Sequence, residues 1–185
     1  MSDDNSSRPP GERRSWLDRL GQFFSGEPRT REDIVEILAA ARDDGILESE
    51  TFGMLEGVMT VAEGQVADVI IPRSQMVVLD ADAELSEILA TVIESGHSRF
   101  PVHDEDREHI IGILLAKDLL KLQRAPELNL RTLLRPAVFV PESKRLNELL
   151  RDFRSNRNHL AIVIDEFGNT AGLITIEDVL EEIVG

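Results

Sequence analysis

Thr175 and Asp178 stand three residues apart where an apolar run, Ala171 to Thr175, gives way to a helical pattern over Ile176 to Val184. The spacing puts a hydroxyl at a strand end and a carboxylate in the first turn of the next helix. Two chemistries use such a pair. The side chains can cap the helix. They can also offer a hydroxyl and a carboxylate to a ribose, while the helix N-terminus presents N–H groups and a positive dipole end to phosphate. Gly172, just upstream, lets the strand backbone come close to a ligand. The residues alone leave both readings open.

Other reactive constellations are weak. There is no Gly-x-Ser-x-Gly elbow, His-Glu-x-x-His helix, phosphate loop ending Gly-Lys-Ser/Thr, or cysteine nucleophile. Carboxylate pairs fall on turns and helix faces, without the apolar surroundings that raise a pKa for acid catalysis. No catalytic residue is assigned, and no enzyme is expected. The run His103-Asp104-Glu105-Asp106-Arg107-Glu108-His109 has the composition of a metal cluster, but it reads as a solvated hairpin turn. His97 and His159 have no carboxylate or cysteine partner at ligand spacing, so no direct metal site is predicted.

These residues sit in a duplicated framework. Gly112-Ile113-Leu114-Leu115-Ala116-Lys117-Asp118-Leu119-Leu120 lies over Gly172-Leu173-Ile174-Thr175-Ile176-Glu177-Asp178-Val179-Leu180, an offset of 60 residues. Val102-His103-Asp104-Glu105 lies over Val163-Ile164-Asp165-Glu166, and Leu85 to Leu89 over Leu146 to Leu150, both at 61. Val69-Ile70-Ile71-Pro72 meets Leu133-Leu134-Arg135-Pro136 at 64. Length drift of this kind belongs in loops. A unit repeated with its elements in order is one supersecondary structure used twice, pseudo-symmetric about a shared cleft.

Each copy predicts a strand, a helix, a two-stranded hairpin and a final helix. In the first copy these are Met76–Leu79, Ala83–Ser95, Arg99–His103 with Ile110–Leu115, and Lys117–Gln123. A short helical entry over Val66–Ile71, stopped by Pro72, precedes them. The second copy predicts Val138–Val140, Ser143–Ser155, Leu160–Ile164 with Ala171–Thr175, and Ile176–Val184. The fold class is α+β, two small sheets backed by helices. Upstream, Thr30-Arg31-Glu32-Asp33 opens a helix in capping-box fashion, and a second helix spans Ser49–Glu63. The expected division is 1–29 as a disordered and short amphipathic segment (disorder to residue 15, the patch at Trp16 to Phe24), 30–64 as a helical arm, 65–125 as the first repeat and 126–185 as the second.

Composition narrows the partners. The net charge of −15 repels phosphate backbones and anionic lipids, so no direct nucleic-acid contact is expected. The absence of cysteine excludes disulfides and thiolate metal sites. The start lacks a signal-peptide core, and the longest apolar run, Ile110 to Ala116, is seven residues, so no transmembrane segment is predicted. The expectation is a cytoplasmic protein.

The repeat, with Gly-Leu-Ile-Thr-Ile-Glu-Asp closing its last strand, resembles the cystathionine β-synthase (CBS) domain, and two in series resemble a Bateman module. From about residue 20 onward the chain is similar to the CorC/HlyC group. Met54-Leu55-Glu56-Gly57-Val58-Met59, Ile71-Pro72-Arg73-Ser74-Gln75-Met76, His97-Ser98-Arg99-Phe100-Pro101-Val102 and Ala161-Ile162-Val163-Ile164-Asp165-Glu166-Phe167-Gly168 carry the likeness. Members usually continue past Ile183-Val184-Gly185 into an acidic linker and a transporter-associated domain, and many carry a membrane domain before the repeats.

The resemblance implies a regulatory module that binds an adenine nucleotide, ATP or AMP, with Mg²⁺ held through the phosphates, and that acts in magnesium and cobalt efflux. It implies that Thr175 and Asp178 hold the ribose. His97-Ser98-Arg99 would bring Arg99 to the phosphates, and Ile71, Pro101 and Ile162 would flank the adenine beside Gly172. The equivalent site in the first repeat is weaker: Asp118 remains, but Leu115 replaces the threonine. It further implies a homodimer through the CBS helices and a membrane cation transporter as a separate partner chain. Two alternatives are a soluble factor in ribosome or RNA metabolism acting through protein partners, and a structural dimerisation module without ligand.

Overall fold

The computed structural model describes residues 28–125 and 129–185. The expected disorder over 1–15 and the patch at Trp16 to Phe24 lie outside the described residues. The chain divides into two compact units, Met1–Glu56 and Gly57–Gly185.

In the first unit, helix α1 (Arg31–Asp43) starts at Thr30. Thr30 Oγ1 accepts the Asp33 N–H at 3.2 Å, while Asp33 Oδ2 accepts the N–H groups of Thr30 at 3.0 Å and Arg29 at 2.8 Å. The reciprocal cap satisfies N–H groups that have no partner inside the helix. The Arg29 N–H bond first, then that of Thr30, holds the Asp33 carboxyl below its ordinary range. Helix α2 spans Ser49–Glu63 as the pattern predicts, and the Arg42 guanidinium lies 4.5 Å over the Phe52 ring.

The second unit contains both repeats. The first supplies β1 (Ile71–Pro72), β2 (Leu79–Asp80), α3 (Leu85–Ser95), β3 (Arg99–His103), β4 (Ile110–Leu115) and α4 (Leu119–Arg124). The second supplies β5 (Phe139–Pro141), α5 (Leu146–Asn156), β6 (Leu160–Ile164), β7 (Thr170–Thr175) and α6 (Ile176–Val184). In both copies the strand before the helix, β2 or β5, pairs parallel with the strand after it, β3 or β6, and the last two strands form an antiparallel hairpin. The registers correspond: Arg99 faces Leu115 as Leu160 faces Thr175. Each hairpin has a register shift at the matching place, Val102/His103 and Val163/Ile164.

The two sheets order as β2-β3-β4 and β1-β7-β6-β5. β1, which in sequence precedes the first repeat's own strands, pairs with the second repeat's last strand, Ile71 opposite Leu173. The exchange is reciprocal, because Arg135 bridges Ile113. The expected helical entry over Val66–Ile71 is therefore cut short: a 3₁₀ turn covers Val66–Asp68, and the chain then extends into β1. A second 3₁₀ turn, Arg73–Gln75, delays the next strand to Leu79.

The period-2 alternation of strands sorts the side chains. Phe100 and Val102 of β3 join Leu79, Ile88, Leu114 and Leu119 in one helix-side core. Ala161 and Val163 of β6 join Leu146, Leu149, Phe153, Ile174 and Val179 in the other. The opposite strand faces meet in a third cluster of Met76, Ile110, Ile113, Leu160, Ile162 and Leu173. This seam brings the repeats face to face, and Arg99 and Thr175 belong to its strand faces.

Candidate functional site

Along one rim of that seam lies a cavity of about 350 Å³. Its wall includes Ile71 from β1, His97, Ser98 and Arg99 from the first repeat, and His159 and Thr175 from the second. Strand parity explains the meeting. Arg99 opens β3 and Thr175 closes β7, both on the seam side, and Ile71 is delivered by the strand exchange. The linker residues Gln75, Met76 and Val77 and the helix residue Glu177 also line it. Sequence reasoning missed these. Glu177 could have been found from the repeat itself, since the matching position in the first copy is Lys117, a charge reversal between otherwise similar columns.

Thr175 and Asp178 are locked together. Asp178 Oδ2 accepts the Thr175 N–H and the Thr175 hydroxyl, both at 2.7 Å, and Thr175 Oγ1 accepts the Asp178 N–H at 3.2 Å. The pair is thus a capping box for α6. All the bonds to the carboxylate go to Oδ2, which leaves Oδ1 as an acceptor, and Oγ1 keeps one lone pair. Asp178 stands behind Thr175 and is not in the cavity wall. The helix amides are partly spent: the Ile176 N–H donates to the His159 carbonyl at 3.1 Å, and that of Asp178 to Thr175. The N-terminus of α6 therefore offers fewer free donors than its sequence implies.

Arg99 has no carboxylate partner among the described residues. It is partly buried, in a chain whose many carboxylates made a surface ion pair the simple alternative. His97 packs its ring 6.1 Å from Phe100, and His159 Nδ1 lies 3.9 Å from Glu177 Oε1.

Three expected contacts fall elsewhere. Pro101 and Ile162 are sealed in the interior, Ile162 at 0% exposure, and neither lines the cavity. Both have the seam-side parity of Arg99 and Leu160 but sit two residues deeper, where the sheets close on each other. Gly172 does permit a close approach, but of protein backbone. A Cβ there would lie 2.2 Å from the Ile71 carbonyl oxygen, so the glycine admits β1.

A second, smaller cavity of about 240 Å³ occupies the pseudo-symmetric position, with Leu115 where the first has Thr175. Asp118 does not open into it as a free acceptor. The residue is 5% exposed and is gripped by Lys121 at 2.7 Å and Arg135 at 3.4 Å. The Lys121 bond, partly opposed by burial and aided by Arg135, holds the Asp118 carboxyl below its ordinary value of 3.8. A depressed carboxylate stabilises the fold above its unfolded pKa, and that stability is lost as the pH falls through the folded value. Asp118→Asn is therefore expected to show a shallower drop of unfolding midpoint below pH 3.8 than the parent chain. An identical acid limb would mean that the pair contributes nothing.

The segment with metal-like composition forms the β3–β4 turn. There His109 Nδ1 meets Asp104 Oδ1 at 2.6 Å, and Arg131 bridges Asp104 at 3.2 Å and Asp82 at 3.1 Å. No group of three or more histidines or carboxylates converges among the described residues.

Known proteins resemble this chain in sequence and fold. The CBS-domain family pattern matches residues 66–125 and 130–185, and the pattern for the N-terminal region of NMB0537 matches 26–61. The magnesium and cobalt efflux protein CorC of Vibrio cholerae is 48% identical over 188 residues, covering 100% of this chain and 65% of that protein. That of Pasteurella multocida is 52% identical over 168 residues, covering 90% and 56%. The chain thus spans under two thirds of the length of these relatives. Among solved structures, the CBS domain of a bacterial CNNM/CorC family Mg²⁺ transporter superposes with a TM-score of 0.76 at 37% identity, covering 85% of this chain and 98% of that one. A complex of such a domain with ATP superposes at 0.67 and 40% identity, covering 72% and 96%. A CBS-domain pair from Klebsiella pneumoniae with bound AMP superposes at 0.58 and 30% identity, covering 66% and 100%.

Proposed function

Since the chain belongs to the CBS-domain family, with its tandem pair in the CNNM/CorC form, we propose that it is a regulatory module that binds an adenine nucleotide in the larger cavity and reports it to magnesium and cobalt transport. The observation that carries this reading is the joint presence of Arg99 and Thr175 in one wall, contributed by different repeats. Thr175 and the free Oδ1 of Asp178 would take the ribose hydroxyls, with Asp178 reached past the threonine. Arg99, whose planar guanidinium has no competing carboxylate among the described residues, would take the phosphates. Ile71 supplies the apolar wall for the base. The solved relatives with ATP and AMP support the ligand class.

Magnesium would arrive on the nucleotide phosphates, since the described residues offer no ligand cluster of their own. The reading assigns the protein no catalytic step. Its two domains take the limits 65–125 and 126–185. Because the ligand would touch both repeats and the strand exchanged between them, it can favour one arrangement of the pair over another. A partner, a membrane cation transporter in this reading, would sense the difference. No helix among the described residues is long and apolar enough to cross a membrane.

We place a homodimer contact on the repeat helices, where Ile93 is 78% exposed, Leu120 64% and Leu180 42%. Sedimentation equilibrium is expected to give twice the chain mass, and Leu120→Asp to shift it toward the monomer. A monomeric parent chain would remove the dimer from the reading. The nucleotide claim is tested by calorimetric titration of the 185-residue chain with ATP, with and without Mg²⁺. The absence of a heat signal at millimolar nucleotide would reject it.

A further inference from the structure

The second cavity is unusual for a chain with a net charge of −15. Arg99, Lys117, Arg135 and Arg157 all line it, and among the described residues no aspartate or glutamate does. Among the described residues only Arg135 of these four has a carboxylate partner, Asp118 at 3.4 Å, which it shares with Lys121. Arg99, Lys117 and Arg157 have none among the described residues. Four like charges around one hollow repel each other, and in so acidic a protein carboxylates were available to neutralise them. The arrangement leaves the cations to an anion from solution.

The same wall lacks the hydroxyl–carboxylate pair assigned to ribose in the larger cavity. Leu115 stands where the first cavity has its threonine, so no hydroxyl is offered. Asp118 is buried and occupied by its two cations. Beside Asn158 and His159, the polar wall is three guanidiniums and an ammonium, donors suited to multiply charged phosphate oxygens. We propose that this cavity is a separate site for an inorganic phosphate-type polyanion, sharing the Arg99 wall with the larger cavity but not its ligand. The anion chemistry could also come from the phosphate tail of a nucleotide seated next door, and the experiment separates the two sources.

Pyrophosphate is the probe, titrated calorimetrically into the 185-residue chain and three variants. Lys117 and Arg157 are exposed, and Arg157 caps α5 with φ 55°. Lys117→Gln combined with Arg157→Asn therefore leaves the core intact and keeps a residue that tolerates this backbone. The parent chain is expected to bind pyrophosphate. The double variant is expected to bind it roughly 100-fold more weakly while keeping its ATP affinity, about tenfold for each charge-assisted hydrogen bond removed. Arg99→Ala is expected to weaken both ligands. Thr175→Val is expected to lose ATP and keep pyrophosphate. Thermal melts confirm that each variant is folded. The proposal falls if the parent chain gives no pyrophosphate signal, or if the double variant binds pyrophosphate as well as the parent. It falls too if the double variant loses ATP in equal measure, which would assign the cations to a nucleotide tail. Pyrophosphate binding without ATP binding would sink the nucleotide reading and leave this one standing.

Discussion

Gly172→Val is expected to destabilise the second unit by about 3 kcal/mol, the upper range of overpacking penalties, and to lower its melting midpoint by roughly 10 °C. A Cβ at this position would meet the Ile71 carbonyl oxygen at 2.2 Å and Ile70 side-chain carbons at 2.7 Å. Neither neighbour can yield cheaply. The Ile71 carbonyl belongs to the strand paired with β7, and Ile70 packs against the second repeat's core. β1 would have to leave the sheet, and Ile71 would leave the cavity wall with it. The substitution should therefore weaken ATP binding as well as the fold. Gly53→Ala is the matched control. Nothing lies within 4 Å of a Cβ at that helical position, and there the same kind of change should stabilise by about 1 kcal/mol. A destabilisation below about 1 kcal/mol for Gly172→Val would show that β1 is not held as described.

Removing either member of the Thr175–Asp178 pair is expected to weaken ATP binding about 100-fold, the equivalent of one or two hydrogen bonds involving a charged group. The same substitutions remove a helix cap and should cost about 1 kcal/mol of stability. The two effects must be read separately, because the observed bonds, 2.7 Å from Thr175 N and Oγ1 to Asp178 Oδ2, are those of a cap. Titration well below the melting transition of each variant isolates binding. If Asp178→Ala melts earlier but binds ATP as the parent does, the pair serves α6 alone and the ribose assignment fails. Thr175→Ser, which keeps the hydroxyl, should restore most of the affinity that Thr175→Val removes. The cap and the ligand role are compatible in physical terms. A carboxylate fixed by two bonds to one oxygen presents the other without further loss of side-chain freedom.

The sequence by itself determined everything that depends on neighbours in the chain. The duplication was visible as an offset of 60 to 64 residues. The strands Arg99–His103, Ile110–Leu115 and Leu160–Ile164 and the helices Ser49–Glu63 and Ile176–Val184 fall where their periodicity puts them. The local spacing of Thr175 and Asp178 was enough to foresee a capped helix start. The pairing of Arg99 with Thr175 across two repeats was legible only through likeness to a family, because nothing in either segment points to the other.

Tertiary structure decided what depends on distance. A strand of two residues, Ile71–Pro72, carries too little pattern to be read, and its partner Leu173 lies about 100 residues away. That exchange turned Gly172 from an expected ligand neighbour into a seat for backbone. Depth along the seam was equally hidden. Arg99 and Pro101 share one strand face, but only the first reaches the opening, because the sheets converge within two residues. Asp118 repeats Asp178 in sequence, but Lys121 and Arg135 claim it, and the arginine arrives from the segment that follows α4. The cationic second cavity follows from the same folding, since its four charges are spread from residue 99 to residue 157 and only the packed repeats assemble them.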